Sequence, residues 1–380
     1  MIGRTAAAAG HRAIVRSDGG ISVADRPTVL PGPGELLVAT EYAGLCGTDI
    51  QMLRGLRDDP APVVGHEGVA RVVAAGEGTP ETLAPGTLVA VNPTHPTDPG
   101  FLLGHNVDGL LQERTLLPAT AVAGGRVLVL PESTDVTLAA LLEPLAVVRY
   151  AVDALRAFRP TTLLVVGDGT VGHLAVRAAA RWLGTRTRVV LVHHTSAGRA
   201  FSAASPYPAD VLLDAGELAE AKLGGSVAAL VATPRDATVA ALEAVIRATE
   251  SDVVVDIVGG VPPGATAPSL PGVDLGAVRA ANCGGVPDPI LVTTTDRGIR
   301  LVGHRGVANQ HLVASAAELA RAPERYRDLI THETDLDGAA RVMRALAGSP
   351  ERTVDGRRLI KLSVRVTEER TSDDRHPADR

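Results

Sequence analysis

The chain has 380 residues, 45% hydrophobic and 21% charged, with a formal net charge of −6. That length is too great for one ordinary core, so two domains are expected, and the composition is that of a globular protein in water. With no run of eighteen apolar residues and with scattered basic residues, neither a membrane nor a nucleic acid is expected as a partner. Two cysteines, Cys46 and Cys283, are too few for a disulfide framework, and the cytoplasm is the expected compartment. Arginine supplies nearly all the positive charge, lysine occurring only at 222 and 361, which reads as genome composition without functional weight.

The opening "MIGRTAAAAGHR" is too short and too weakly apolar for a secretory leader and reads as a frayed start. From Ile14 to about Leu130, short apolar runs such as "ELLVAT", "GVARVVAAG", "TLVAVN" and "GRVLVLP" are broken by Gly and Pro, the pattern of a β-rich domain. Residues 136–158 then carry apolar side chains at helical spacing. After Pro160, "TTLLVVGDGTVGHLAVRAAARWLGTRTRVVLV" predicts strand, glycine turn, helix and second strand, one βαβ unit. Strand-like "DVLLDA", "VAALVAT" and "DVVVDIVGG" follow with helical stretches between them, so this part is predicted to be doubly wound α/β. "IRLVG", a helical "HLVASAAELARA" and a strand-like "RRLIKLSVRV" close the pattern, and the charged residues 367–380 are expected to be disordered.

Gly167, Gly169 and Gly172 have G-x-G-x-x-G spacing at a strand end and a helix start, with Thr170 and Val171 between the last two. The first glycine permits the tight turn, the second lets backbone approach a pyrophosphate, and the third allows close helix packing. A bare βα turn is the plain alternative. The second strand ends in "HHTSAGR" where a carboxylate would hold the ribose hydroxyls of NAD. His194, Ser196 and Arg199, with His193 and Thr195 beside them, offer donors that suit a 2′-phosphate, so NADP(H) is favoured over NAD(H).

"CGTD", "GHEG" and "LLEPLAVV" bring Cys46, His66, Glu67 and Glu143, all residue types that ligate zinc. Taken singly, a lone Cys is more often a small core hydrophobe and a Glu before Pro a helix-start residue. In order along the chain, however, "CGTD", "GHEG", "DGLLQE", "EPLAVV", "GDGTVG" and "LITHETDLDGAARVMRAL" resemble the zinc-dependent medium-chain alcohol dehydrogenases, nearest the sorbitol and threonine dehydrogenase branch. The likeness runs from about residue 12 to 365.

That resemblance implies a β-rich GroES-like catalytic domain in residues 1–150, a Rossmann dinucleotide-binding domain in 151–304 and a return to the catalytic domain in 305–366. It implies Cys46, His66 and Glu143 as ligands of one catalytic zinc, with Glu67 as an alternate ligand. Asp49 would then hydrogen-bond the outer nitrogen of His66, and Thr48 would relay the substrate's proton. Zinc would act as Lewis acid on the substrate oxygen while the nicotinamide exchanges hydride. A homodimer or homotetramer built near residues 285–305 is also implied.

One departure is plain: the interval "THPTDPGFLLGHN", where relatives carry a four-cysteine structural zinc lobe, has no cysteine. No structural zinc is expected; His95, Asp98 and His105 are residue types that ligate metal, but their irregular spacing in a Pro-rich loop reads as plain surface residues, with contact to substrate as the second reading of the loop. Cys283 reads as packing. The expected reaction is alcohol to ketone or aldehyde interconversion on a hydroxyl-rich substrate, a polyol, sugar or aminocyclitol, and the resemblance, whose branch includes dehydrogenases of antibiotic pathways, implies a place in antibiotic biosynthesis. The competing readings are a zinc-free medium-chain enone or quinone reductase and a non-catalytic NADPH-binding protein.

Overall fold

The computed structural model describes residues 6–17, 20–282, 290–293, 297–349 and 351–367. Cys283 and the charged tail beyond Thr367 lie outside the described residues, as does part of the expected subunit interface. The chain opens with a hairpin, β1 (Ala6–Ser17) antiparallel to β2 (Gly20–Val29). From Ala6 onward this corrects the expected frayed start: the alanine run gains a ladder partner in β2.

The β-rich sequence up to Leu130 gives β3 (Leu36–Gly44), β4 (Glu67–Ala75), β5 (Leu88–Val91), β6 (Arg114–Leu117) and β7 (Val127–Val129). Two short helices interrupt them, α1 (Gly47–Leu53) and α2 (Ala119–Ala123). The helical segment after residue 136 begins as a 3-10 turn and continues as α3 (Leu142–Leu155).

The βαβ unit appears where it was expected, as β8 (Thr162–Val166), α4 (Thr170–Trp182) and β9 (Arg188–His193). Alternation continues through α5 (Ser196–Ala203), β10 (Val211–Asp214), α6 (Ala215–Glu220), β11 (Val227–Val231), α7 (Thr238–Ala248), β12 (Val253–Ile257) and α8 (Leu275–Ala280). Two further strands, β13 (Ile290–Thr293) and β14 (Gly298–Val302), complete a sheet of order β10-β9-β8-β11-β12-β14-β13. It is parallel except for β13. Strands β8, β11 and β12 are buried throughout, which is why they read as unbroken apolar runs.

After α9 (Asn309–Arg321) the chain returns to the first sheet with β15 (Ile330–Thr334), α10 (Leu336–Gly348), a small hairpin of β16 (Thr353–Val354) and β17 (Arg357–Arg358), and β18 (Lys361–Arg365). The first sheet has the order β15-β18-β3-β4-β5-β7, with β6 on β3. Helix α3 joins the two sheets: Leu145, Ala146, Val148 and Leu155 share one cluster with Val69 and Leu88 of the first sheet and Leu163 and Leu230 of the second. The strand order reverses at β8, between β9 and β11, and a crevice at such a switch point is where doubly wound sheets bind ligands.

Candidate metal and cofactor site

Cys46 caps α1 in an extended conformation, φ −90° and ψ 153°. Asp49, three residues on, accepts from the Cys46 N–H through Oδ2 at 2.9 Å and closes the first turn. This fixes Asp49, which is fully buried. Its other oxygen, Oδ1, faces His66 Nδ1 at 3.8 Å, too far for a hydrogen bond, and neither atom has a partner among the described residues. His66 follows Gly65, whose φ of +99° and closeness to Leu111, 2.8 Å from a Cβ built there, leave no room for a side chain. Glu67 then opens β4.

Ligand atoms of Cys46, His66 and Glu67 all lie within 4.8 Å of one another. A thiolate, an imidazole and a carboxylate so placed form a zinc-type donor set, and the orphaned His66 Nδ1 and Asp49 Oδ1 fit a ring held from its far side by a metal. Thr48, half-buried, accepts from the Cys46 thiol at 3.5 Å. Glu143 is not in the three-residue group; it is buried in the first turn of α3 and interacts electrostatically with His66 and Glu67. A Cβ at Gly47 would meet nothing within 4 Å, so close packing does not require glycine there.

The electrostatics follow from burying four ionisable groups together. Burial opposes charge on His66, yet the Cys46 sulfur, by charge and hydrogen bonding, with Asp49 and Glu67, pushes its pKa up to about 10. Burial and repulsion from Glu67 push Glu143 up to about 7 against the pull of His66, Lys361 and His304. Burial also raises Asp49, opposed by His66 and the Cys46 N–H.

Two members of this neighbourhood were not foreseen. Lys361, buried on β18, is ion-paired to Glu67 and donates to the Leu45 carbonyl at 3.2 Å. It is one of the two lysines set aside as compositional, and a lone lysine inside the apolar "LIKLSV" was the available signal. His105 is buried rather than on the surface, its Nδ1 3.3 Å from Asp59 and its ring 5.1 Å from that of His66. The loop is closed on itself by a bridge between Thr94 and Leu102, and His105 is held between Asp59 and the His66 ring instead of facing solvent. Burial, with His66 and Arg57 nearby, lowers His105 to about 3. His95 stays half-buried and accepts from the Asp98 N–H at 2.8 Å.

In the glycine loop, Gly167 has φ +121°, and a Cβ there would stand 2.4 Å from the Ala232 carbonyl oxygen. A Cβ at Gly172 would stand 1.8 Å from the Gly167 oxygen, so both glycines are sterically required. Gly169 is different: the nearest atom to its Cβ position is Arg352 Nη1 at 3.8 Å. That open face is the cradle a pyrophosphate needs, so the loop fits a dinucleotide. Thr170 donates from Oγ1 to the Ile360 carbonyl at 2.7 Å, and Val171 follows in the first turn of α4.

Past β9, His194 and Ser196 are exposed and Thr195 caps α5, accepting from the Gly198 N–H at 3.1 Å. His193 is turned inward, bonded to Ser202 and to the Leu213 carbonyl. Arg199 is engaged with Glu217 at 2.6 Å and with the Leu212 carbonyl at 3.1 Å. Besides Arg352, Arg358 reaches the glycine loop, 2.6 Å from Asp168 Oδ2.

Residues 32–125 match the alcohol dehydrogenase GroES-like domain family. Glucose 1-dehydrogenase of Thermoproteus tenax is 34% identical over 171 residues, 39% of this chain and 48% of that protein. The chain therefore spans about half the length of the curated relatives it matches. Among solved structures, galactitol-1-phosphate dehydrogenase from Escherichia coli superposes with a TM-score of 0.69 at 19% identity, covering 93% of this chain and 99% of that one. An alcohol dehydrogenase from Thermotoga maritima gives 0.68 at 20% identity, covering 94% and 100%. Both sheets and their connection thus have the fold of these dehydrogenases.

Proposed function

We propose that the chain, a member of the medium-chain alcohol dehydrogenase superfamily, is a zinc-dependent oxidoreductase that interconverts an alcohol with its ketone or aldehyde, using NADP(H) in preference to NAD(H). The observation that carries this reading is the convergence of Cys46, His66 and Glu67 within 4.8 Å, with Glu143 buried beside them. When bound, zinc supplies a Lewis acid for the substrate oxygen and the nicotinamide gives or takes the hydride.

The chain's own part is holding and positioning. Cys46 and His66 hold the metal, with Glu143 as the third ligand and Glu67, tethered by Lys361, as its alternate. Asp49, 3.8 Å from His66 Nδ1, is placed to hold the ring in one orientation and tautomer once the two close to hydrogen-bond distance. Thr48 hydrogen-bonds the substrate hydroxyl at Oγ1, beside the sulfur it already contacts, and relays the proton by passing its own hydroxyl proton on to water as the substrate's arrives. Gly167, Gly169 and Gly172, with the N–H groups of Thr170 and Val171, receive the pyrophosphate, and His194 and Ser196 border the adenosine ribose.

The substrate class is a polyol, sugar or aminocyclitol, a reading supported by the names of the glucose and galactitol-phosphate relatives. A homodimer or homotetramer and a place in antibiotic biosynthesis belong to the same proposal. The test is zinc quantitation after chelator-free purification, with a screen of polyols, cyclitols and amino sugars against both nicotinamides followed at the reduced-cofactor absorbance. Zinc near one per chain and turnover lost in Cys46→Ala are expected. Full activity without zinc would favour the enone or quinone reductase, and absence of nicotinamide binding would end the dehydrogenase reading.

A further inference from the structure

The C-terminal segment between α10 and β18 reaches the glycine loop at three places. Thr170 Oγ1 donates to the Ile360 carbonyl at 2.7 Å. Arg352 Nη1 stands 3.8 Å from the Cβ position of Gly169, and its guanidinium shares the electrostatic surroundings of Cys46, Asp168 and Glu67. Arg358 donates from Nη2 to Asp168 Oδ2 at 2.6 Å and from Nη1 to Thr195 Oγ1 at 3.3 Å. The third arginine of the hairpin, Arg357, is committed elsewhere, to the Thr331 carbonyl.

Doubly wound nucleotide sites put the adenosine ribose between the first glycine loop and the end of the second strand. Here those two borders are Asp168 and the residues following His193, and Arg358 touches both. Its side chain is only 15% exposed, and its Nε is buried with no hydrogen-bond partner among the described residues. An orphaned guanidinium nitrogen in a closed corner costs free energy unless a ligand satisfies it. Asp168, 7% exposed, is the carboxylate at this corner. Left alone it would accept a ribose 2′-hydroxyl and repel a 2′-phosphate; paired with Arg358, its charge is cancelled.

We propose that the β16–β17 hairpin is a cofactor-selecting element: Arg358 receives the 2′-phosphate of NADP(H) while masking Asp168, and Arg352 covers the pyrophosphate above Gly169. The selecting residue thus comes from the C-terminal segment, some 160 positions after the strand end where Arg199 stands. The second N–H of Arg358 Nη1, beyond the one given to Thr195, is the donor left for a phosphate oxygen, and the guanidinium charge faces the same corner. The inference rests on the dehydrogenase reading above and specifies its cofactor subsite.

The test is calorimetric titration of the full-length protein with NADPH, NADH, 2′,5′-ADP and 5′-ADP, read as binding and independent of turnover. Wild type should prefer NADPH to NADH and 2′,5′-ADP to 5′-ADP. Arg358→Ala should weaken NADPH and 2′,5′-ADP by about tenfold or more, as loss of a charge-assisted phosphate contact does, while leaving NADH unchanged or tighter because Asp168 is uncovered. Asp168→Asn should leave the NADPH preference intact. Arg352→Ala should weaken both dinucleotides by a similar factor, since both carry the pyrophosphate. Arg358→Lys keeps the charge against Asp168 and guards against a folding defect; it should fall between wild type and Arg358→Ala. A wild-type NADPH preference that survives both Arg358 variants overturns this inference alone, whereas a wild type that binds the two nicotinamides equally overturns it together with the proposed cofactor preference and leaves the dehydrogenase reading standing. A wild type that binds neither overturns the dehydrogenase reading as well.

Discussion

Lys361 on β18 is ion-paired to Glu67 at the start of β4, so one buried ammonium ties the C-terminal strand to the candidate metal centre. The same ammonium donates to the carbonyl of Leu45, the residue before Cys46. Lys361→Met removes the partner of a buried carboxylate and should lower the unfolding free energy by about 3 kcal/mol at neutral pH. Adding Glu67→Gln should restore most of that loss, because the uncompensated charge disappears. Urea unfolding of the two single variants and the double variant checks this; additive losses would show that the pair is not coupled.

Asp49 and His66 make a more specific prediction about the metal. Asp49→Asn keeps an acceptor for the Cys46 N–H but removes the charge facing His66 Nδ1. Zinc affinity should fall roughly 10- to 100-fold, as it does when a carboxylate behind a ligating histidine is lost. Competition with a chromogenic chelator measures it. Unchanged affinity would mean that the 3.8 Å separation persists with metal bound and that Asp49 serves only to cap α1.

Much of this fold is written locally. The unbroken apolar runs of β8, β11 and β12, the glycine spacing before α4 and the helical period of α9 each lie within a short window, and the structure has them where the sequence predicts. "CGTD" and "GHEG" say little singly and gain meaning only from their order along the chain, through the family resemblance. Lys361, Arg352 and Arg358 were not legible because their meaning depends on partners about 160 to 310 positions away. Arg199 shows the converse limit: its place after β9 suggests a phosphate ligand, but Glu217, held by its own capping box with Asp214, claims the guanidinium. His105 is hidden in the sequence because a Pro-rich loop reads as solvent-exposed, whereas the fold places its ring beside Asp59.

The elevated His66 makes metal uptake pH-dependent. With a pKa pushed up to about 10, His66 is protonated in the metal-free protein at neutral pH, and zinc must displace that proton. Apparent zinc affinity should rise about tenfold per pH unit for each proton displaced. In the metal-free state the raised pKa stabilises the fold fully below the ordinary value of 6.5 and progressively less as pH climbs toward 10, so zinc should add most thermal stability at the alkaline end. Proton release can be read calorimetrically in buffers of different ionisation enthalpy. A binding constant flat from pH 6.5 to 8.5 would contradict the assignment of His66 as ligand.

Glu143 shifts the opposite way in its consequence for stability. Its folded pKa of about 7 lies above the ordinary 4.5, so as pH rises between those values the unfolded chain loses its proton first and the metal-free fold is progressively weakened. Above pH 7 the full penalty of a buried carboxylate beside Glu67 is present, on the order of 3 kcal/mol. Glu143→Gln removes the titration while keeping the size of the side chain. Metal-free Glu143→Gln should therefore be more stable than the parent at pH 8 and nearly equal to it at pH 4.5, by denaturant unfolding in the presence of a chelator. With zinc supplied the order should reverse at pH 8, because the parent gains binding energy through a carboxylate ligand that the variant lacks. If the variant keeps both its stability advantage and full zinc occupancy at pH 8, the third ligand is Glu67, released from Lys361, and Glu143 is only the buried neighbour that the 4.8 Å cluster leaves out.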